Sequence, residues 1–305
     1  MKNSLHYFKT SDGLSIRYCI RSDHGNGKSG SVVLLGGRSE FIEKYHETIE
    51  DLVARGFHVY CLDWRGQGLS SRMAENPHKG YVETFDDYLN DLSVFMEKIV
   101  FPVASRPVII LAHSMGGHIA LRYLHHHPVS TDAAVLLSPM IDIKTAPLPP
   151  SWMRFLVRLA VKMGYGGKYA AGSGDYPPGG RNFEKNRLTS DRQRFADTYL
   201  KICNNPDLAL GGATYQWLDA AFDSIDILNT SGYVDRINIP VLIAASGKEG
   251  VVSRSAQQKM CRSLPMCKFI DVSDARHEIL RERDHVRNAF WDAFDTFVQD
   301  QVRNK

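Results

Sequence analysis

Pro107-Val-Ile-Ile-Leu-Ala-His-Ser-Met-Gly-Gly-His-Ile-Ala-Leu121 is the stretch on which the reading of the whole chain turns. Residues 108–111 are a short, wholly apolar run, as expected of a buried strand. A run of helix formers begins after Gly117. Between them lies Ala112-His-Ser-Met-Gly116, the G-x-S-x-G pattern with alanine in the first position. A turn this tight between strand and helix demands small residues two before and two after the serine. Ala112 and Gly116 meet that demand, and Gly117 adds clearance. The pattern places Ser114 in a strained backbone conformation with its hydroxyl exposed at a helix N-terminus.

The segments on either side show the setting of that turn. Upstream, residues 5–10 and 14–20 read as two strands around a Ser11-Asp12-Gly13 turn. A polar loop, 23–30, leads to an apolar strand over 31–35, which ends in Gly36-Gly37-Arg38-Ser39-Glu40. Paired glycines at a strand end let the backbone approach a ligand closely. Residues 45–55 form a helix stopped by Gly56, and 57–62 the next strand. The turn Asp63-Trp-Arg-Gly-Gln-Gly-Leu-Ser-Ser71 lacks the Gly-Lys-Ser/Thr of a phosphate loop, so it reads as architecture. Residues 85–100 are a helix with acids early and Lys98 late, which suits the helix dipole.

Downstream of the serine, His125-His-His127-Pro128 reads as a solvated helix end rather than a metal site. Residues 133–138 are a further buried strand. Short apolar strands alternating with helices define an α/β fold with a mostly parallel, doubly wound sheet. The alternation is interrupted from 139 to 235, where helical segments near 152–163, 191–203 and 214–228 and a glycine-rich loop over 164–180 contain no convincing strand. That stretch reads as a helical cap inserted after the sixth strand, with the core formed by 1–138 and 236–305. Strands resume at 241–245 and 268–272, and a helix over about 284–302 closes the chain.

Composition narrows the functional classes. The chain has 305 residues, 43% of them hydrophobic, and a net charge of +3, so no global nucleic-acid footprint is expected. Five scattered cysteines, with no CxxC pair, are expected to be reduced thiols in a cytoplasmic protein. No signal core and no membrane-length apolar run is evident. His277-Glu-Ile-Leu-Arg281 is not H-E-x-x-H, so no zinc site is expected.

An acid after one late strand and a histidine after the next follow the order Ser…Asp/Glu…His of α/β-hydrolases. Glu249 is the preferred acid over Asp271 and Asp274, which lie close to His277 in the same segment. Of the twelve histidines, His277 is the preferred base. His113 adjoins Ser114, and neighbours on so sharp a turn cannot readily join their side chains.

The chain also resembles the bacterial lysophospholipases and monoacylglycerol lipases of the α/β-hydrolase superfamily. The pieces that carry the resemblance are Gly37-Arg-Ser-Glu40, Asp63-Trp-Arg-Gly-Gln-Gly68, Pro77-His-Lys-Gly80, Ala112-His-Ser-Met-Gly-Gly117, Gly211-Gly-Ala-Thr-Tyr-Gln-Trp217 and His277-Glu-Ile-Leu280. It implies an α/β-hydrolase fold with Ser114 as nucleophile, Glu249 as acid and His277 as base. It implies oxyanion amides from Arg38 and Met115, and no metal or organic cofactor. The oxyanion loop opens with Gly36-Gly37 where the family often has His-Gly, and the acid is Glu where Asp is common. The reaction implied is hydrolysis of an acyl ester in lysophospholipid or monoacylglycerol. Acyl transfer, cofactor-free haloperoxidation and silent ligand binding on the same fold are the alternatives.

On the cap segment 152–163, Arg154, Arg158 and Lys162 form one basic stripe, with Trp152, Phe155, Leu156, Leu159 and Met163 largely away from it. Such a helix suits peripheral contact with anionic membrane on the inner face. It equally suits an apolar roof over the site with a solvated basic face, and this second arrangement is the expected one. Oligomeric state is not legible.

Overall fold

Apolar runs too short for helices and flanked by glycine have little choice but to pair as strands buried on both faces. The computed structural model, which describes residues 4–22, 29–145 and 147–303, has the strands β1 (Ser4–Lys9), β2 (Ser15–Arg21), β3 (Ser31–Leu35), β4 (His58–Leu62), β5 (Val108–His113), β6 (Ala133–Leu137), β7 (Val241–Ser246) and β8 (Cys267–Val272), of which β3, β5, β6 and β7 are wholly buried and the edge strands β1 and β8 are largely not. Their order in one sheet is β1-β2-β4-β3-β5-β6-β7-β8. β1 pairs antiparallel with β2, and β2 antiparallel with β4. The remaining neighbours are parallel, with Leu35 opposite Ala112 and His113 opposite Leu137. The polar loop expected over 23–30 lies largely outside the described residues.

Alternation along each strand divides the core in two. Val33, Leu35, Ile110, Ala112, Leu136 and Ile243 face α2 (Phe85–Phe95), α3 (Met115–His126) and α7 (Arg254–Ser263). Val32, Leu34, Ile109, Leu111, Val135 and Leu242 face α1 (His46–Ala54) and α8 (Asp284–Val298). Between β6 and β7 the chain inserts α4 (Pro150–Ala160), α5 (Arg192–Asn204) and α6 (Tyr215–Leu228). This is the α/β-hydrolase fold.

The structure departs from the sequence reading in four places. The helix after the serine begins at Met115, ahead of the glycines, because Gly116 and Gly117 are held helical by packing. α7 had no expected counterpart. Its sequence is strongly polar, and only Gln257, Met260 and Cys261 are buried, too few to show a period. Cys261 and Cys267 form a disulfide, so five reduced thiols is wrong, and Cys19, Cys61 and Cys203 remain free. The turn from α7 into β8 brings the two Cα atoms to 5.3 Å, a proximity that separation in sequence did not reveal. The cytoplasmic expectation thereby loses its main ground. Finally, α4 is turned over relative to expectation. Arg154 pairs with Asp226 and Asp142, and Arg158 with Asp223 and Asp219, while Trp152, Phe155, Leu156, Leu159 and Met163 are exposed. The acids on α6 recur at helical spacing and take the basic stripe. Val157, packed on Phe222 and Ile225, is the buried apolar anchor.

The glycine-rich turn after β4 is architecture of a definite kind. Asp63 accepts from the backbone N–H of Ile42 (2.8 Å) and Leu69 (2.9 Å) and from Arg17 Nε (2.7 Å). The Asp63 and Arg17 side chains are fully buried, and Glu43, a third exposed, holds the other end of Arg17. Removing one member of a buried pair strands the other, at a cost of about 3–5 kcal/mol. Asp63→Ala should therefore lower the free energy of unfolding in urea by roughly that amount, and Glu43→Ala by clearly less. Equal losses would mean that the pair is not the anchor of this turn.

Candidate active site

Ser114 stands between β5 and α3 with φ 50° and ψ −113°, a conformation that L residues rarely adopt. What forces it is close approach. A Cβ on residue 116 would lie 2.5 Å from the Leu35 carbonyl oxygen and 2.6 Å from that of Gly36. One on residue 117 would meet Pro139 Cβ at 2.9 Å. Only glycines allow α3 to start so near the end of β3, and the serine absorbs the turn.

The structure brings the three residues chosen from sequence into one chain of hydrogen bonds. His277 Nε2 is 2.9 Å from Ser114 Oγ, and His277 Nδ1 is 2.8 Å from Glu249 Oε2. Glu249 Oε1 accepts from the N–H of Val251 at 2.7 Å and Val252 at 3.3 Å. Burial works to raise the Glu249 carboxyl. The hydrogen bond and charge of His277, then the two amides, outweigh it and hold the group below its ordinary value. An ionised Glu249 fixes the proton on Nδ1, which leaves Nε2 free to accept from the serine hydroxyl. The rival acids point elsewhere: Asp271 pairs with Arg254, and Asp274 with Lys248 at 2.9 Å.

The two amides expected at an oxyanion site belong to segments adjacent to the serine. Met115 is the first residue of α3, where a backbone N–H has no carbonyl a turn earlier. Arg38 lies in the loop after β3, whose Gly37 would bring a Cβ within 3.2 Å of Ser114 Cβ. The amides on either side of Arg38 are taken: Gly37 N–H donates to Glu40, and Ser39 N–H to Gln67 Oε1 at 3.0 Å. Trp64 Nε1 donates to the Gly36 carbonyl at 2.7 Å, so the glycine-rich turn after β4 holds this loop from below.

Beneath the loop is a buried charge network that sequence reading missed. Glu40 accepts from Lys44 Nζ at 2.9 Å and from the Tyr45 hydroxyl, and faces His113 Nδ1 at 3.0 Å. Lys44 Nζ also donates to Glu278 at 2.6 Å. His113 Nε2 is 3.1 Å from the His277 carbonyl oxygen. Burial opposes the charge on Glu40, but Lys44 and His113 overcome it and hold the carboxyl well below 4.5. Burial likewise opposes charge on His113, and Glu40 overcomes it, so the imidazole titrates above its ordinary value. With a carboxylate on one nitrogen and a carbonyl on the other, both acceptors, His113 donates from both as imidazolium. Only the Glu40 to Lys44 spacing, one helical turn, was visible in sequence. Among the described residues the histidine run ends on separate partners: His125 stacks on Tyr233 at 3.7 Å and His127 on Tyr123 at 4.5 Å.

The serine opens into a cavity of about 220 Å³. Its lining includes the apolar side chains of Phe195, Ile202 and Leu210 and the cationic side chains of Arg38 and Arg181. Glu278 N–H donates to the Leu188 carbonyl at 2.7 Å, which ties the insertion to the histidine loop.

An eight-stranded, mostly parallel sheet with a serine on its central strand-to-helix turn defines the class: the protein is an α/β-hydrolase. The serine aminopeptidase S33 family matches residues 27–284. The chain is 31% identical over 293 residues to a probable lysophospholipase L2 of Haemophilus influenzae, covering 94% of this chain and 89% of that protein. It is 33% identical over 266 residues to lysophospholipase L2 of Escherichia coli, covering 84% and 76%. In fold it is similar to a soluble variant of the monoglyceride lipase of Saccharomyces cerevisiae, with a TM-score of 0.76 and 21% identity over 99% of this chain and 97% of that one. The chain belongs to this hydrolase family, in the branch of carboxylic-ester hydrolases that resemble lysophospholipase and monoacylglycerol lipase.

Glu40 gives a test of the network. A carboxyl held below its ordinary 4.5 contributes stability that is fully present above that value and is lost as pH falls toward the folded value. Glu40→Gln should cost about 3–5 kcal/mol at neutral pH, since it leaves Lys44 and His113 short of a counter-charge. The gap to wild type in urea unfolding should narrow as the pH drops from neutrality to about 3. A gap that stays constant over that range would show that Glu40 is not ionised in the fold.

Proposed function

We propose that this protein hydrolyses the acyl ester of single-chain lipids, lysophospholipid or monoacylglycerol, through Ser114, His277 and Glu249. The observation that carries this is the unbroken chain Ser114 Oγ, His277 and Glu249, whose serine and histidine line a cavity together with Phe195, Ile202 and Leu210. The names of the lysophospholipase L2 relatives support the substrate class. As the serine oxygen attacks the ester carbonyl, His277 Nε2 takes its proton, and Glu249 stabilises the imidazolium. The amides of Arg38 and Met115 receive the oxyanion, each contributing on the order of 10²–10³ in rate. Collapse of the intermediate expels the alcohol, protonated by His277. Water, deprotonated by His277, then releases the fatty acid from the serine. In this reading 1–138 and 236–305 form the catalytic core, and 139–235 is a cap that encloses the acyl chain.

The same insertion presents the exposed apolar face of α4. We place peripheral membrane contact there, on Trp152, Phe155, Leu159 and Met163, rather than on the basic stripe, whose two arginines are neutralised by α6. No helix among the described residues is long and apolar enough to cross a membrane.

Esters of increasing chain length, glycerol-linked and phosphate-linked, test the activity, with an aminoacyl anilide as the peptidase control. Ser114→Ala and His277→Ala should each abolish turnover in folded protein. Glu249→Gln should lower kcat by on the order of 10²–10⁴, while Asp271→Asn and Asp274→Asn stay within about tenfold of wild type. Turnover near wild type in either of the first two variants would sink the triad.

The membrane contact has its own test. Trp152→Ser with Phe155→Ser should reduce co-sedimentation with lipid vesicles by about tenfold or more, at low and high salt alike. Hydrolysis of a short soluble ester should not change. Undiminished sedimentation would remove this face from consideration.

A further inference from the structure

Arg38 carries a guanidinium that no group in its surroundings neutralises. Nη1 donates to Ser39 Oγ at 3.1 Å and Nη2 to the Gly211 carbonyl at 2.9 Å, both uncharged. Nε is buried without an acceptor, and the group lies 5.1 Å from the centre of the Trp217 ring. The buried arginines of this protein behave differently: Arg17 has Asp63, Arg65 has Asp91 and Arg287 has Asp51. Among the described residues Arg38 has no carboxylate. The charge that acts on it is a second cation, Arg181, which lines the same cavity and likewise has no carboxylate partner among the described residues. Burial first, then the charge of Arg181, push Arg38 down to about 10, so it remains a cation at neutral pH. Lys44 and His113, which also line the cavity, are already held, Lys44 between Glu40 and Glu278 and His113 by Glu40.

A charged group with a buried donor is ordinarily paired, as Arg38 with its buried Nε is not, and two like charges lining one cavity form a site that an anion completes. The position of the pair narrows the choice of anion. In the function proposed above Arg38 offers its backbone amide to the ester at the serine, and its side chain lines the same cavity. The group it meets must therefore lie a few bonds from the scissile ester, on the alcohol side in a pose that sets the acyl chain against Phe195, Ile202 and Leu210. In a lysophospholipid the phosphodiester stands there, separated from the ester by glycerol carbons alone. Guanidinium forks match phosphate oxygens with paired hydrogen bonds.

We propose that Arg38 and Arg181 bind the phosphodiester of a lysophospholipid whose acyl ester lies at Ser114. The proposal rests on the ester-hydrolase reading and deepens it, because it selects a phosphate-bearing head group over uncharged glycerol. A monoacylglycerol leaves both guanidinium groups unpaired and gains nothing from them. Arg38 thus serves in two ways, through its amide toward the ester and through its side chain toward the head group.

The test uses the full chain and two substrates with the same octanoyl group, lysophosphatidylglycerol and monoacylglycerol, both below micelle-forming concentrations. The ratio of kcat/KM for the first over the second is measured for wild type, Arg181→Gln and Arg38→Gln. Loss of a hydrogen-bonded charge should lower that ratio by about tenfold or more in each variant, chiefly through KM for the phospholipid. Arg181 is exposed, so its variant carries the test even where Arg38→Gln fails to fold. A ratio that stays within about twofold of wild type, or a parallel fall on both substrates, would overturn the proposal. A second arm uses glycerol 3-phosphate against hydrolysis of p-nitrophenyl butyrate. It should inhibit wild type competitively, glycerol should not, and Arg181→Gln should lose the inhibition. Inhibition by glycerol 3-phosphate in the absence of any lipid turnover would retain the phosphate site and remove the lipid-ester reading. Lipid turnover without such inhibition would do the reverse.

Discussion

Everything at the site depends on how near α3 comes to the end of β3. The carbonyl oxygens of Leu35 and Gly36 lie within 2.6 Å of where a side chain at residue 116 would begin, so that side chain cannot exist. The approach leaves Ser114 with a positive φ at the N-terminus of α3 and brings Gly37 of the loop after β3 close to its side chain. Parallel pairing fixes the rest. Leu35 stands opposite Ala112 and His113 opposite Leu137, so strand ends, not side chains, set where the loops emerge. Glu249 and His277 follow β7 and β8 on the same edge, where the next two loops must come out.

The parts that were legible in sequence are those governed by local rules. Wholly apolar runs became the central strands, with every residue of β3, β5, β6 and β7 buried. Small residues around Ser114 marked the turn, and chain order singled out Glu249 and His277 for the positions they take. What was hidden is set by partners distant in sequence. Glu40 and His113 are separated by 73 positions, and Lys44 and Glu278 by 234, with no spacing rule to join them. The side of α4 that faces inward was misjudged for the same reason. A basic stripe looks solvated until Asp219, Asp223 and Asp226 of α6 are set against it. α7 was hidden because its sequence buries too little to display a period.

The insertion and the core have opposite electrostatic habits. In the core, charge is paired internally: Arg17 with Asp63, Arg65 with Asp91, Lys44 with Glu40 and Glu278. Where the insertion meets the core, Arg38 and Arg181 are left without anions, and on the outer side of α4 large apolar side chains are left without cover. Desolvation penalises the Arg38 charge, and contact with water penalises the apolar side chains. In the function proposed above, a lipid would bring a head group to one and a bilayer to the other.

The network beneath the loop also constrains how this protein can vary. Glu40 joins the Gly37 amide to His113, His113 joins Glu40 to the His277 carbonyl, and Lys44 joins Glu40 to Glu278. Each member is buried and each is compensated by another, so a lone replacement at any one position strands a charge in a low-dielectric interior. Replacements made together strand none. Positions 40, 44, 113 and 278 are thus coupled by strong epistasis, and are expected to pass through evolution as a single inherited unit that is kept whole or exchanged whole.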